Sequence, residues 1–402
     1  NKNDTGRACK WSGAERPNRW GQCCVPTWFA RRSKQTKTTR IASCAVERFG
    51  FVGLPNAGKS SLYNALAGGG ALAAPYAFAT VEPNVGIVKV PDDRLDKLAS
   101  MSESLKAIHT SVQFTDIGGL VEGASQGEGL GNKFLQGIRE SDGIVFVLRA
   151  FGDPDVPGPT DPLENLGVVE IELALADLDS AERQLDKRRR QAKGDKTAKA
   201  DVELLEEAVA ALSEGKPLYR SGMTAAQHKA LKPFFLLTNK PVMAVVNVGE
   251  DDLDEIPALT ERVSNELDGA EVLGMCIQLE AEAALMDVDE RTELLEGLGL
   301  GEGALPRFAR SAYHLLGLRT YFTTGEKESR AWTFPAGAKA PQCAGVIHTD
   351  FERGFIRAET IQWDLLIEHG SWAKAREAGD ARMEGKDYEV ADGDTMDFRF
   401  NV

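Results

Sequence analysis

The residues best equipped for chemistry lie together near position 55. Gly53-Leu54-Pro55-Asn56-Ala57-Gly58-Lys59-Ser60 has the spacing G-x-x-x-x-G-K-S. Glycines at this interval let successive backbone N–H groups curl around phosphate oxygens. Lys59 can reach the β- and γ-phosphates of a nucleoside triphosphate, and Ser60 offers a hydroxyl to Mg²⁺. The run Phe49-Gly50-Phe51-Val52 reads as a strand into the loop, and Lys59 to about Leu66 reads as a helix leaving it. Such a helix directs its positive dipole end at the anion. That context makes the loop a nucleotide site rather than a glycine turn.

A second element stands downstream. Phe114-Thr115-Asp116-Ile117-Gly118-Gly119 places an acid at the end of an apolar strand. Asp116 there can hold Mg²⁺ through water, and Gly119 can offer its N–H to the γ-phosphate. Between the two motifs, Thr80 lies in Phe78-Ala79-Thr80-Val81-Glu82-Pro83. A loop whose threonine hydroxyl meets Mg²⁺ and the γ-phosphate orders with nucleotide and acts as a switch.

The base reader should follow a later strand, and Val245-Val246-Asn247-Val248-Gly249-Glu250 fits. Guanine readers use N-K-x-D, whose Asp accepts from N1–H and N2–H₂; here Val248 takes the Lys position and Glu250 the Asp position. The longer carboxylate cannot sit in the same place without other changes. Adenine has a donor at N6 and an acceptor at N1, and Asn247 can serve N6 and N7. The pattern favours ATP, although Glu250 alone tolerates guanine, so a GTPase with a shifted base loop stays open. Thr238-Asn239-Lys240-Pro241 lacks the acid and reads as structural. Ras-like enzymes position water with a Gln directly after D-x-x-G; Leu120 holds that position here. Intrinsic hydrolysis is therefore expected to be slow. Asn56 is a candidate ligand for a K⁺ replacing an arginine finger. The same leucine leaves open a non-hydrolysing scaffold with a regulatory nucleotide.

Strands alternate with helices around these motifs. Arg48–Val52, Val85–Val90, Ser111–Asp116, Ile144–Leu148, Val242–Val246 and Val272–Ile277 read as strands, and Arg94–Ser100 and Leu305–Leu316 as helices. This is an α/β fold with a parallel sheet. From about Asn165 to Glu214 strand signals vanish, and leucines recur among dense charges. That stretch reads as an inserted helical hairpin, with Lys187–Lys199 as its polar bridge. From Arg319 short strand-like pieces alternate with turns, as in a small strand-rich domain of about 80 residues. His348 lies in one such piece and reads as structural. Tyr321, Trp332, Phe334 and Phe351 read as core; Arg353 and Arg357 serve equally as RNA-facing or solvated groups. Cys276 and Cys343 read as buried and inert.

Taken together, GLPNAGKSSLYNAL, FATVEPNVGIVKVPD, DIGGLVEGAS and NVGE resemble the YchF type of Obg-like ATPase. So do LRTYFTTGEKESRAWTF, AGVIHTDFERGFIRAE and EGKDYEVADGDTMDFRFNV. The resemblance covers about residues 47–402. It implies a Ras-like P-loop NTPase domain, an inserted coiled coil and a C-terminal β-grasp (TGS) domain. The corresponding divisions are 47–162, 163–235, 236–318 and 319–402. It implies ATP in preference to GTP, Mg²⁺, a monomer, and association with the ribosome through its large subunit or RNA, in translation and stress responses. By position, Asn56, Ala57, Gly58, Lys59, Ser60 and Ser61 would contact phosphates. Ser60 and Thr80 would hold Mg²⁺, and Asn247, Val248 and Glu250 would read adenine. Two departures stand out. Glu122 replaces a basic residue beside the switch, and Cys276-Ile277-Gln278 replaces S-A-K near the second base loop.

Charge sets the first residues apart. Residues 1–48 hold 11 Lys/Arg against 3 Asp/Glu, so the rest of a chain with formal net charge −14 carries about −22. An acidic body argues against broad sequence-independent binding to nucleic acid. Residues 1–46 fit an organellar transit peptide or a basic tail: chloroplast or another organelle in the first case, cytoplasm otherwise. No apolar run approaches the roughly 18 residues of a membrane helix.

Overall fold

The computed structural model describes residues 48–68, 85–115, 130–153, 158–192 and 195–401. The nucleotide-binding half contains β1 (Arg48–Val52), α1 (Lys59–Gly68), β2 (Val85–Lys89), α2 (Asp93–Met101), β3 (Ala107–Ile108), β4 (Ser111–Thr115), α3 (Leu130–Glu140) and β5 (Gly143–Ala150). It continues, after an insertion, with β6 (Val242–Val248), α7 (Ile256–Glu266), β7 (Val272–Met275), α8 (Ile277–Ala283), α9 (Val288–Gly297) and α10 (Ala304–Leu315). Six strands form a sheet in the order β2-β4-β1-β5-β6-β7. Only β2, against β4, is antiparallel. The central strands β5 and β6 are nearly continuous apolar runs, as strands covered on both faces must be. Phe51, Phe114, Leu62 and Phe308 fill one face, and Phe146, Leu166, Val169 and Val263 the other.

The insertion is a helical hairpin, α4 (Pro162–Gln191) and α5 (Lys196–Ser213), followed by α6 (Ala225–Leu231). Asp161 caps α4 and Pro162 starts it, a common beginning for a helix. The first half of α4 buries Leu166, Val169 and Leu173 against the sheet, whereas Ala181 and Leu185 pack with Leu205 and Leu212 of α5. A division at 163 falls at the start of α4, although the first half of that helix belongs to the core of the sheet. At the hairpin's foot, buried Asp177 accepts from Leu237 N–H, Thr238 N–H and the Thr238 hydroxyl at 2.7–2.8 Å. Part of the basic run is neutralised within the hairpin: Arg188 pairs with Asp201 and Arg189 with Glu206.

The C-terminal part comprises β8 (Leu318–Thr323), β9 (Ser329–Pro335), α11 (Ala340–Ile347), α12 (Thr349–Arg353), β10 (Phe355–Gln362), α13 (Trp363–His369), α14 (Trp372–Ala378), β11 (Arg382–Glu384) and β12 (Asp394–Phe400). It is richer in helix than its sequence suggests. The Val346–Asp350 piece, strand-like by its branched residues, is the junction of α11 and α12. Capping outweighs propensity there: Pro341 sits in the first turn of α11, and His348 Nδ1 accepts the Asp350 N–H at 3.2 Å. Tyr321 and Phe334 are buried, with Trp332 and Phe351 packed beside them, so these aromatics are core. Arg353 and Arg357 are exposed.

The second sheet runs β11-β10-β12-β8-β9-β3. Its edge strand β3 belongs, in chain order, to the nucleotide-binding half: Ala107 and Ile108 pair with Ser329 and Arg330. Leu95 and Leu98 of α2 share a core with Phe322, Ile361 and Leu366. Arg94 bridges Asp92 and Asp392 at 2.8 and 2.7 Å. A boundary at 318/319 thus omits the segment 93–108, which is built into the C-terminal sheet. Among the described residues, no helix is long and apolar enough to cross a membrane.

Candidate functional site: a nucleotide pocket

The phosphate loop joins the buried end of β1 to α1, and its glycines answer specific crowding. A Cβ on Gly53 would overlap the Val147 carbonyl oxygen of β5. Gly58 has φ +102°, and a Cβ there would fall 2.5 Å from Asn247 Nδ2. Asn56 also has positive φ, 61°, a conformation asparagine accepts better than most residues. Ala57 is fully buried and contributes backbone only. Lys59 is 5% exposed, and its Nζ donates to the carbonyls of Gly53 at 3.1 Å and Leu54 at 2.6 Å. The ammonium is thereby held across the mouth of the loop. Ser60 and Ser61 are exposed on the first turn of α1.

Asn247 ties the loop to the base end. Its Nδ2 donates to Ala57 O and its Oδ1 accepts from Ile277 N–H, both at 3.1 Å. The side chain is buried, so these bonds fix the phosphate loop against β6 and the start of α8. Of the two adenine contacts expected from Asn247, a remaining Nδ2 proton can serve N7. Its Oδ1 takes one bond from Ile277 N–H and keeps a second lone pair that can accept from N6. Val248 is buried in the core between the sheet and α4, so it presents only backbone to the pocket. Glu250 is exposed and lines the pocket.

The cavity holds about 790 Å³, within the usual range for small-molecule sites. Asn56, Gly58 and Ser61 of the phosphate loop and the start of α1 line it together with Asn247, Val248 and Glu250 from the end of β6. Gln278, of the second base loop, is in the wall, and three further wall residues escape a motif search: Phe151, Glu282 and Leu285. Phe151 follows β5, and the Arg149 guanidinium lies 4.8 Å from its ring centroid. Glu282 and Leu285 follow Gln278 at helical spacing, the signal that could have found them. Thr80, Asp116, Gly119 and Leu120 lie outside the described residues.

Other buried groups are structural. Burial raises the Cys276 thiol above its ordinary value and pushes Cys343 up to about 12, so neither is a ready thiolate. Glu280 is raised by burial and accepts the Ala304 N–H at the start of α10. In the Thr238–Pro241 segment, Asn239 bonds His228, and Lys240 Nζ donates to Arg139 and Ser141 carbonyls at the end of α3. That segment braces the fold away from the pocket.

A parallel sheet whose first strand feeds a G-x-x-x-x-G-K-S loop, with a base pocket at the ends of β6 and β7, defines a P-loop nucleoside triphosphatase. A family model described as a 50S ribosome-binding GTPase matches residues 48–194. The YchF-GTPase C-terminal model, described as a protein of unknown function, matches 318–401. The ribosome-binding ATPase YchF of Bacillus subtilis is 47% identical over 363 residues, covering 88% of this chain and 99% of that protein. The Pasteurella multocida protein of the same name is 49% identical over 358 residues, with the same coverage. The structure of the Schizosaccharomyces pombe YchF GTPase superposes with a TM-score of 0.79 at 32% identity, covering 88% of this chain and 98% of that one. The chain belongs to the YchF family.

Proposed function

We propose that the chain binds ATP in this pocket, hydrolyses it slowly with Mg²⁺, and acts as a nucleotide-controlled, ribosome-binding switch in translation. The observation that carries the reading is the Ala57–Asn247–Ile277 relay. It joins an intact phosphate loop to a base pocket that has Glu250 where guanine readers carry Asp. Relatives at 47–49% identity are named ribosome-binding ATPases.

Mg²⁺ favours oxygen ligands, and the exposed Ser60, next in sequence to Lys59, would supply one. Bound there, the ion would neutralise charge developing on the phosphoryl oxygens. Thr80 and Asp116 complete the proposed set. Asn56, lining the cavity from a left-handed backbone, is the proposed K⁺ ligand. Lys59 positions the β/γ-phosphates, and the Gly119 N–H is proposed to meet the γ-phosphate. Leu120 cannot orient water, so hydrolysis waits on the cation or on the ribosome.

Sedimentation with ribosomes in ATP, in ADP and without nucleotide tests this reading. Co-sedimentation that changes between ATP and ADP is expected. Absence from the ribosomal pellet in all three conditions would remove the translation role.

A further inference from the structure

Two strands of the first sheet run from the nucleotide site to the C-terminal domain. β2 begins at Val85, two residues past Pro83, and β4 ends at Thr115, next to Asp116. They pair antiparallel from Val85↔Thr115 to Lys89↔Ser111, and Val90 N–H to Thr110 O at 2.9 Å adds a last rung. At the usual rise per residue this ribbon spans about 17 Å. Its near end adjoins the Thr80 and Asp116 segments, and its far end opens into residues 90–110. β2 is the edge of its sheet, bonded to β4 on one side.

The far end is fastened to the C-terminal domain by several independent contacts. Leu95 and Leu98 are fully buried in a core shared with Phe322 and Ile361. Arg94 donates to Asp392 at 2.7 Å. Leu105 N–H donates to Glu326 O and Ser329 N–H to Lys106 O, both at 2.9 Å, and β3 then pairs with β9. Ser104 Oγ donates to Gly325 O at 2.7 Å.

We infer that this seam makes Arg94 and Ser104 positioning residues for the triphosphate: by fixing the far end of the β2–β4 ribbon, the C-terminal domain pre-organises the strands that adjoin Thr80 and Asp116. This rests on the ATP reading above and adds to it what sets the site's response. The γ-phosphate and Mg²⁺ must order the segments at the near end, whereas ADP, which lacks that phosphate, need not. The entropy lost in ordering them is smaller when the ribbon is already held. An edge strand released at its far end has β4 alone to hold it, so the cost of triphosphate binding rises and that of ADP does not. Linkage makes the effect reciprocal: triphosphate should tighten the seam more than ADP does.

The test is equilibrium binding of a non-hydrolysable ATP analogue and of ADP, with Mg²⁺, to the whole chain and to Arg94→Ala, Arg94→Lys and Ser104→Ala. Arg220→Ala, which removes bonds to Glu170 and Glu266 away from the seam, is the control for general destabilisation. Thermal melting checks that each variant is folded, and Ser104→Ala carries the test if Arg94→Ala does not fold. Arg94→Ala is expected to weaken the analogue about fivefold, at the low end of measured couplings, and to leave ADP within about twofold. Arg94→Lys keeps a cation for Asp392 and should recover part of the loss, and Arg220→Ala should keep the analogue:ADP ratio. In the wild type, the Leu105 and Ser329 amides should exchange hydrogen more slowly with the analogue than with ADP. If the wild type binds both nucleotides and the folded seam variants keep its analogue:ADP ratio, the seam is structural and this inference falls alone. A wild type that binds neither nucleotide would overturn the ATPase reading and this inference with it.

Discussion

Asn247 of β6 holds Ala57 of the phosphate loop: its Nδ2 meets the Ala57 carbonyl at 3.1 Å across 190 positions of sequence. The same side chain accepts from Ile277 N–H, so one buried amide sets the distance between the phosphate and base ends of the pocket. Asn247→Ala should strand two buried backbone groups. A stability loss of about 2 kcal/mol is expected in urea unfolding, with ATP affinity at least tenfold weaker by equilibrium binding. Unchanged affinity in a destabilised variant would make Asn247 purely structural.

Gly53 faces the Val147 carbonyl with no room for a side chain. The obstacle is backbone in the middle of β5, which cannot swing aside. Gly53→Ala should therefore lower stability by about 2 kcal/mol and displace the loop enough to abolish measurable nucleotide binding. Urea titration and labelled-ATP binding read the two effects separately.

Arg94 and Asp392 connect α2 to the C-terminal domain at 2.7 Å. The pair is partly screened, but Arg94 also grips Asp92 and lies over the Phe322 ring, so its geometry is fixed on several sides. A double-mutant cycle with Arg94→Ala and Asp392→Ala should give a coupling of about 1 kcal/mol. Urea unfolding of the wild type, both single variants and the double variant measures it.

Asp177 gives a pH signature. Burial raises its pKa from 3.8 to about 6, despite three donors directed at it. A carboxyl raised on folding binds its proton more tightly in the native state, so its contribution falls as pH rises from about 4 through 6. Between pH 5 and 7.5 the native chain should lose about 1 kcal/mol at this site. Urea unfolding of the wild type minus Asp177→Asn should show that slope below pH 6.5 and a plateau above it.

Much of this was legible because the signals are local. The phosphate loop is a contiguous motif whose residues fold together, and the apolar runs of β1, β5 and β6 mark strands buried on both faces. The hairpin announces itself by its spaced leucines. Long-range features were not legible. Two residues of β3 carry no strand signal, and their pairing with β9 depends on where α2 docks. Leu95 and Leu98 show that α2 has an apolar face without naming Phe322 and Ile361 as its partners. Asn247 reads in sequence as a base reader, because its bonds to Ala57 and Ile277 exist only after three segments converge. His348 is structural, as its sequence suggests, but its stretch is not a strand, since capping of α12 outweighs the strand preference of Val346 and Ile347.

The most direct test of the whole account is phosphate release from ATP by the purified chain, with Mg²⁺, K⁺ and ribosomes, compared with Lys59→Ala. The account predicts slow release that ribosomes or K⁺ accelerate and that Lys59→Ala abolishes. No release under any condition, or release that persists in Lys59→Ala, would contradict it.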